Sequence, residues 1–169
     1  KHSEDYGIKV QNISVDFKKN VKRSRDISQR LSKGIEFLMK KNKIKHFSGT
    51  GRLKSKNSIK VKNDDKAYIV EAEKIIIATG ARPKTFPGLD FDSKNVISSK
   101  DAMLLTTPPK DLIIIGSGAI GVEFAYYFSE FGTKVHIVEM MDRILPNEDQ
   151  DVSEELERNF KKSGMKILK

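Results

Sequence analysis

Apolar positions along the chain change period near residue 110, and that change divides the molecule before any single residue does. From Asp111 onward, apolar runs alternate with amphipathic stretches: Leu112–Ile115, Ala119–Phe131, Lys134–Val138, about Glu148–Ser163 and Met165–Leu168. Four-residue apolar runs suit strands buried on both faces. Helix-length amphipathic segments between them predict strand, helix, strand, helix, strand, the order of a parallel α/β sheet.

Upstream the pattern is different. Val21, Ile27, Leu31, Ile35 and Leu38 recur at helical spacing and predict one long helix from about Asp16 to Lys41, with Asp16 as cap and lysines on the opposite face. Gly34 lies inside it. Short β segments are predicted next, at Ile44–Phe47, Gly51–Leu53, Ser58–Val61, Ala67–Glu71 and Lys74–Ala78, separated by polar turns. Ala81–Pro87 carries two prolines and reads as extended. Ser99–Leu105 reads as a short helix capped by Ser98 or Ser99, and Pro108-Pro109 stops it before the next strand.

At 169 residues the chain can bury one ordinary core, or at most two small ones. No apolar run nears the roughly 20 residues that span a bilayer, and Lys1–Val10 lacks the apolar centre of a secretory leader. The chain has no cysteine, so it offers no disulfide, thiolate metal site or thiol nucleophile, and no metal site is expected. The expected compartment is the cytoplasm. The net charge of +9 is uneven: residues 1–66 hold 19 Lys/Arg against 7 Asp/Glu, and residues 67–169 hold 13 against 16. The basic residues are nearly all lysines without interleaved aromatics, which reads as a solvated face and not as a nucleic-acid platform.

Gly116, Gly118 and Gly121 sit between the strand at Leu112–Ile115 and the helix that follows, in the stretch GSGAIGVE. In such a turn the first glycine permits the bend, the second lets the backbone approach a pyrophosphate, and the third brings helix and strand close. The helix N-terminus adds free N–H groups and partial positive charge for the phosphates. Phe124, Phe128 and Phe131, with Ala125 and Tyr127, form the predicted buried side of this helix. The next strand ends in Glu139, 18 residues beyond Gly121. A carboxylate there accepts hydrogen bonds from both hydroxyls of an adenosine ribose and repels a 2′-phosphate, favouring NAD over NADP. Arg143 points the other way, but Asp142 adjoins it and no cation stands at the strand end itself.

A second glycine turn lies in KIIIATGARP (Lys74–Pro83), about 36 residues before the first. Together these stretches resemble the flavoprotein disulfide reductases, and within them the dihydrolipoamide dehydrogenase branch. KHSEDYGI (Lys1–Ile8), GIEFLMKKNKIKHFSGTGRL (Gly34–Leu53), IIIATGARPKTFPG (Ile75–Gly88) and VEMMDRILPNEDQDVS (Val138–Ser153) carry the resemblance along the whole chain, in the family's order. The resemblance implies an α/β fold, part of a flavoprotein with two dinucleotide-binding domains, with a Rossmann-like parallel sheet and a small antiparallel β portion. It implies a later part of an FAD-binding domain at 1–88, a linker at 89–110 and the first half of an NAD-binding domain at 111–169.

Carried over residue by residue, it assigns FAD contacts to Gly51, Thr79, Gly80 and Ala81. It assigns NAD contacts to Gly116, Ser117, Gly118, Ala119, Ile120, Gly121, Val122 and Glu123, the last toward the nicotinamide end, and the adenosine ribose to Glu139. Read without the family, Glu123 is an ordinary first-turn glutamate favoured by the helix dipole. The implied activity is reoxidation of a dihydrolipoyl group. The implied partners are a second copy of the parent protein and the lipoyl-bearing acyltransferase of a 2-oxoacid dehydrogenase complex, with no nucleic acid and no membrane. The family's cysteine pair, its first glycine fingerprint and its catalytic His–Glu pair have no match here, and His2, His46 and His136 read as surface or strand residues. No catalytic residue is therefore assigned, and the expectation is an internal fragment that is inactive alone. A mercuric reductase, an NADH oxidase or peroxidase relative, or a non-catalytic NAD-binding module are the alternatives.

Overall fold

Residues 4–64 and 66–169 are described by a computed structural model; His2 and the Lys1–Ser3 start of the first family-like stretch lie outside them. The described chain forms two compact units, one holding the residues up to Ser24 with Phe86–Lys169, the other Arg25–Thr85.

In the first unit, strands β4 (Asp111–Ile115), β5 (Lys134–Val138) and β6 (Lys166–Leu168) form a parallel sheet in sequential order. Helices α3 (Ala119–Glu130) and α4 (Gln150–Lys162) make the crossovers that parallel strands require. All five elements fall where the apolar pattern predicts them, but β4 is not buried on both faces: Ile113 is 66% and Ile115 47% exposed, because no element among the described residues covers that face. Phe128, Ala125, Ile137 and Ile144 are fully buried, and Val122, Val135, Phe160 and Met165 join them in one core. Phe124, Tyr127 and Phe131 are half-buried against that core, as the helix pattern implies. Ser98 caps the short α2 (Ser99–Ala102) with a reciprocal box: its hydroxyl accepts from the Asp101 amide while the Asp101 carboxylate accepts from the Ser98 amide. The helix is shorter than the predicted Ser99–Leu105.

Helix α1 (Phe17–Lys41) starts at Asp16, whose carboxylate accepts from the Lys19 amide at 2.9 Å. The ring of Phe17, at its first residue, packs on Tyr127, Phe128 and Phe131 with centroids 5.9, 6.2 and 4.9 Å away. The helix ends where Lys43 turns left-handed (φ 55°) and the Ile44 amide closes on the Met39 carbonyl. Its apolar stripe is not covered as expected: Leu31, Ile35 and Leu38 stand exposed.

The second unit carries an antiparallel meander of β1 (Thr50–Ser55), β2 (Ser58–Lys62) and β3 (Ala67–Glu71). Val61, in the middle strand, is its buried residue, and Phe47 lies on Tyr68 at 5.5 Å. Gly49 (φ +150°) is required here, because a Cβ would lie 2.6 Å from the Lys62 carbonyl oxygen.

Two predicted strands do not form. Ile44–Phe47 has no ladder: the sheet is β1-β2-β3, and this segment pairs with neither of its edge strands. Lys74–Ala78 is also irregular, with Ile76 90% and Ile77 70% exposed. An apolar run of this kind is suited to a central parallel strand, and no strand among the described residues pairs with it. No helix among the described residues is long and apolar enough to cross a membrane, and no cluster of metal-ligating side chains occurs among them.

Candidate functional site

The parallel register of β4 and β5 builds the site. Ile115 pairs with Val138, so the two strands end flush, and the Gly116 amide adds one more bond to the Val138 carbonyl at 2.9 Å. The residues leaving the sheet, Gly116–Gly118 from β4 and Glu139 from β5, are therefore neighbours. Gly116 is left-handed (φ +95°), which turns the chain from the strand into α3. A Cβ on Gly121 would lie 2.2 Å from the Gly116 carbonyl oxygen, so only glycine lets the helix sit this close to the strand end.

Gly118 is different. Its backbone is extended (φ −67°, ψ 178°), and a Cβ there would have no neighbour within 4 Å. Neither conformation nor protein packing demands glycine at this position. It is the N-cap of α3 and offers no side-chain cap, so the first-turn N–H groups face outward for an acceptor. A bare backbone in front of those groups fits a pyrophosphate, which needs close approach and N–H donors.

Ser117, between these glycines, is fully buried and joins three segments. Its amide donates to Glu139 Oε2 at 2.8 Å, and its hydroxyl donates to the same oxygen at 2.6 Å. Its carbonyl accepts from the Leu145 amide at 3.0 Å. Glu139 Oε1 accepts from the Met140 and Met141 amides at 2.8 and 3.0 Å. Burial pushes the Glu139 carboxyl pKa up, but the Ser117 hydroxyl and the three amides outweigh it and hold it below the ordinary carboxylate value. The group is thus an ion at neutral pH, fixed at the glycine turn.

The segment after Glu139 closes the far side. Ile144 is buried, Leu145 is left-handed (φ 47°), and the buried Ser153 hydroxyl donates to the Leu145 carbonyl at 3.1 Å. Arg143 donates Nη2 to the Pro146 carbonyl at 3.2 Å and to the Glu148 carbonyl at 3.4 Å, while its buried Nε has no hydrogen-bond partner among the described residues. The fold thus gathers Gly116, Ser117, Gly118, Gly121 and Glu139. Ala119, Ile120 and Val122 lie on the first turn of α3, Val122 facing the core, and Glu123 is exposed on that helix.

The other predicted contacts belong to the second unit. Gly51 is exposed in β1, and a Cβ there would meet Ile59 Cγ2 at an ordinary 3.5 Å, so the protein does not itself require glycine. Thr79, Gly80 and Ala81 are exposed in irregular chain, with Gly80 at φ +77°. Open, side-chain-free backbone at Gly51 and Gly80 suits a flat ligand. The sequence reading missed the bond from Ser117 to Glu139; a hydroxyl between two glycines, facing a strand-end carboxylate, is the signal that carries it.

Residues 5–169 match the sequence model of the family described as pyridine nucleotide-disulphide oxidoreductase. The chain belongs to that family. It is 43% identical over 168 residues to a dihydrolipoyl dehydrogenase of Chlorobaculum parvum, covering 99% of this chain and 36% of that protein. A dihydrolipoyl dehydrogenase of Bacillus subtilis is 34% identical over 177 residues, covering 99% of the chain and 37% of that protein. Among solved structures, LpdA from Mycobacterium tuberculosis superposes with a TM-score of 0.84 at 26% identity, over 92% of this chain and 36% of that one. The HOCl-induced flavoprotein disulfide reductase RclA from Escherichia coli gives 0.77 at 30% identity, over 91% and 35%. The chain thus spans 36% of the length of the first of these relatives.

Proposed function

We propose that this chain is the nucleotide-holding segment of an NAD-linked flavoprotein oxidoreductase that reoxidises the dihydrolipoyl group of a 2-oxoacid dehydrogenase complex. The observation that carries the reading is the Glu139 carboxylate, ionised and fixed against the glycine turn, in a chain 43% identical to a dihydrolipoyl dehydrogenase. In this reading the α3 N-terminus and the bare backbone at Gly118 hold the NAD pyrophosphate. Glu139 takes the adenosine ribose and repels a 2′-phosphate, and Glu123 faces the nicotinamide end. Gly51, Thr79, Gly80 and Ala81 hold FAD, which when bound supplies the electron relay from a dithiol to NAD. Residues 1–88 serve the flavin, 89–110 link, and 111–169 serve NAD. The parent protein works as a homodimer in the cytoplasm, with the lipoyl-bearing acyltransferase as its electron source.

Titrating the chain with NAD and NADP tests the cofactor assignment. NAD is expected to bind about tenfold or more tightly, from charge repulsion at Glu139; equal affinities would sink it. The chain has no cysteine to exchange electrons with a dithiol, so no dihydrolipoamide turnover is expected from it alone. FAD-dependent oxidation by the purified chain would overturn that expectation. The likeness to RclA favours a second reading, a disulfide reductase of other substrate, with the same two cofactors. Dihydrolipoamide oxidation by the longer parent protein separates the two.

A further inference from the structure

Glu139 accepts four hydrogen bonds, two on each oxygen, which fills the acceptor positions of a carboxylate. Three of the donors are backbone amides, those of Ser117, Met140 and Met141. The strand register and the glycine turn fix these amides, so they alone orient the carboxylate. The fourth donor is the Ser117 hydroxyl, on a fully buried side chain whose position is set by its χ1 torsion and not by the backbone. A ribose hydroxyl arriving at Glu139 must share or displace one of the four. The Ser117 hydroxyl is the one that yields.

We propose that the Ser117 hydroxyl competes with the adenosine ribose for Glu139 and thereby lowers the affinity of the site for NAD. This rests on the reading of Glu139 as the ribose-binding carboxylate. Ser117 is then a tuning residue, redundant for orientation and unfavourable for binding. Its removal strengthens NAD binding, whereas a residue that merely supported the turn would weaken it on removal.

The discriminating experiment is calorimetric titration of the full chain and its Ser117→Ala variant with two ligands. One is NAD; the other is an NAD analogue whose adenosine ribose lacks both hydroxyls. The variant is expected to bind NAD about fivefold to tenfold more tightly, within the net worth of one ordinary hydrogen bond, and to bind the analogue unchanged. Weaker or unchanged NAD binding, or an equal change for both ligands, overturns the proposal. Ser117→Gly also lacks the hydroxyl and should show the same ligand-dependent gain, which keeps the test valid if the alanine variant folds poorly. A wild-type chain that binds NAD and analogue equally overturns the ribose role of Glu139 itself, and the proposal with it. A wild-type preference for NAD that Ser117→Ala leaves untouched overturns the proposal alone.

Discussion

The missing side chain of Gly121 faces the carbonyl oxygen of Gly116, and a Cβ placed there would sit 2.2 Å from it. That contact is backbone against backbone, so no rotamer can relieve it. Gly121→Ala must push α3 off the end of β4, and a loss of ~3 kcal/mol or more is expected in denaturant unfolding.

Gly118→Ala makes the opposite case three residues earlier. Its φ of −67° suits alanine and nothing crowds the new methyl group. Stability should stay within about 1 kcal/mol of the parent chain. NAD affinity should nevertheless fall, since the methyl group stands where the pyrophosphate would approach the helix N-terminus. Unfolding curves and NAD titrations on both variants separate a folding glycine from a binding one; equal effects on the two measurements would end the distinction.

Much of this was legible in the residues themselves, because local period and packing agree from Asp111 onward except on one face of β4, where Ile113 and Ile115 are exposed. Each strand there has a neighbour, and each helix buries the face its pattern marks. The failures lie where a segment depends on something besides its own composition. Lys74–Ala78 has the sequence of an inner strand, yet a strand exists only through a ladder, and composition does not reveal whether a partner is at hand. Leu31, Ile35 and Leu38 mark a face but do not supply its cover. At the site, glycine spacing announced the turn. The space around each glycine then separated the one that packing requires, Gly121, from the one it leaves open, Gly118, and the bond from Ser117 to Glu139 emerged only from the flush ends of β4 and β5.

Glu139→Gln is expected to destabilise the first unit despite its near-identical shape. Each carboxylate oxygen accepts two donors. A carboxamide has one oxygen and one NH2, so its NH2 must face either the Ser117 amide and hydroxyl or the Met140 and Met141 amides. Donor then meets donor on one side, at a cost of about 2 kcal/mol. Thermal melts of the two proteins at neutral pH check this, and a melting temperature unchanged by the substitution would contradict it.

Acid should act through the same carboxylate. Its folded pKa lies below the ordinary value of 4.5, so the folded state favours the ion. The stabilisation is fully present above that value and is lost as the pH falls through the lower folded pKa. Glu139→Gln cannot lose it. The stability gap between parent chain and variant should therefore be constant near neutrality and narrow below pH 4.5. A gap that stays constant from neutral pH down to strongly acid solution would show that the charge of Glu139 contributes nothing.

Phe17 and Leu31 lie on one helix and should answer truncation differently. Phe17 is 7% exposed and its ring meets three aromatic rings of α3 and the residue following it. Replacing it with alanine removes those contacts and opens a cavity beside Phe128, which is itself fully buried, at a cost of ~3–4 kcal/mol. Leu31 is 64% exposed, and Leu31→Ala gives up little packing while placing a better helix former, so its effect should stay within about 0.5 kcal/mol. The pair therefore measures where α1 is held. Loss from Phe17→Ala alone fits a helix anchored by its first turn to the aromatic face of α3. A comparable loss from Leu31→Ala would mean that the apolar stripe is covered in solution.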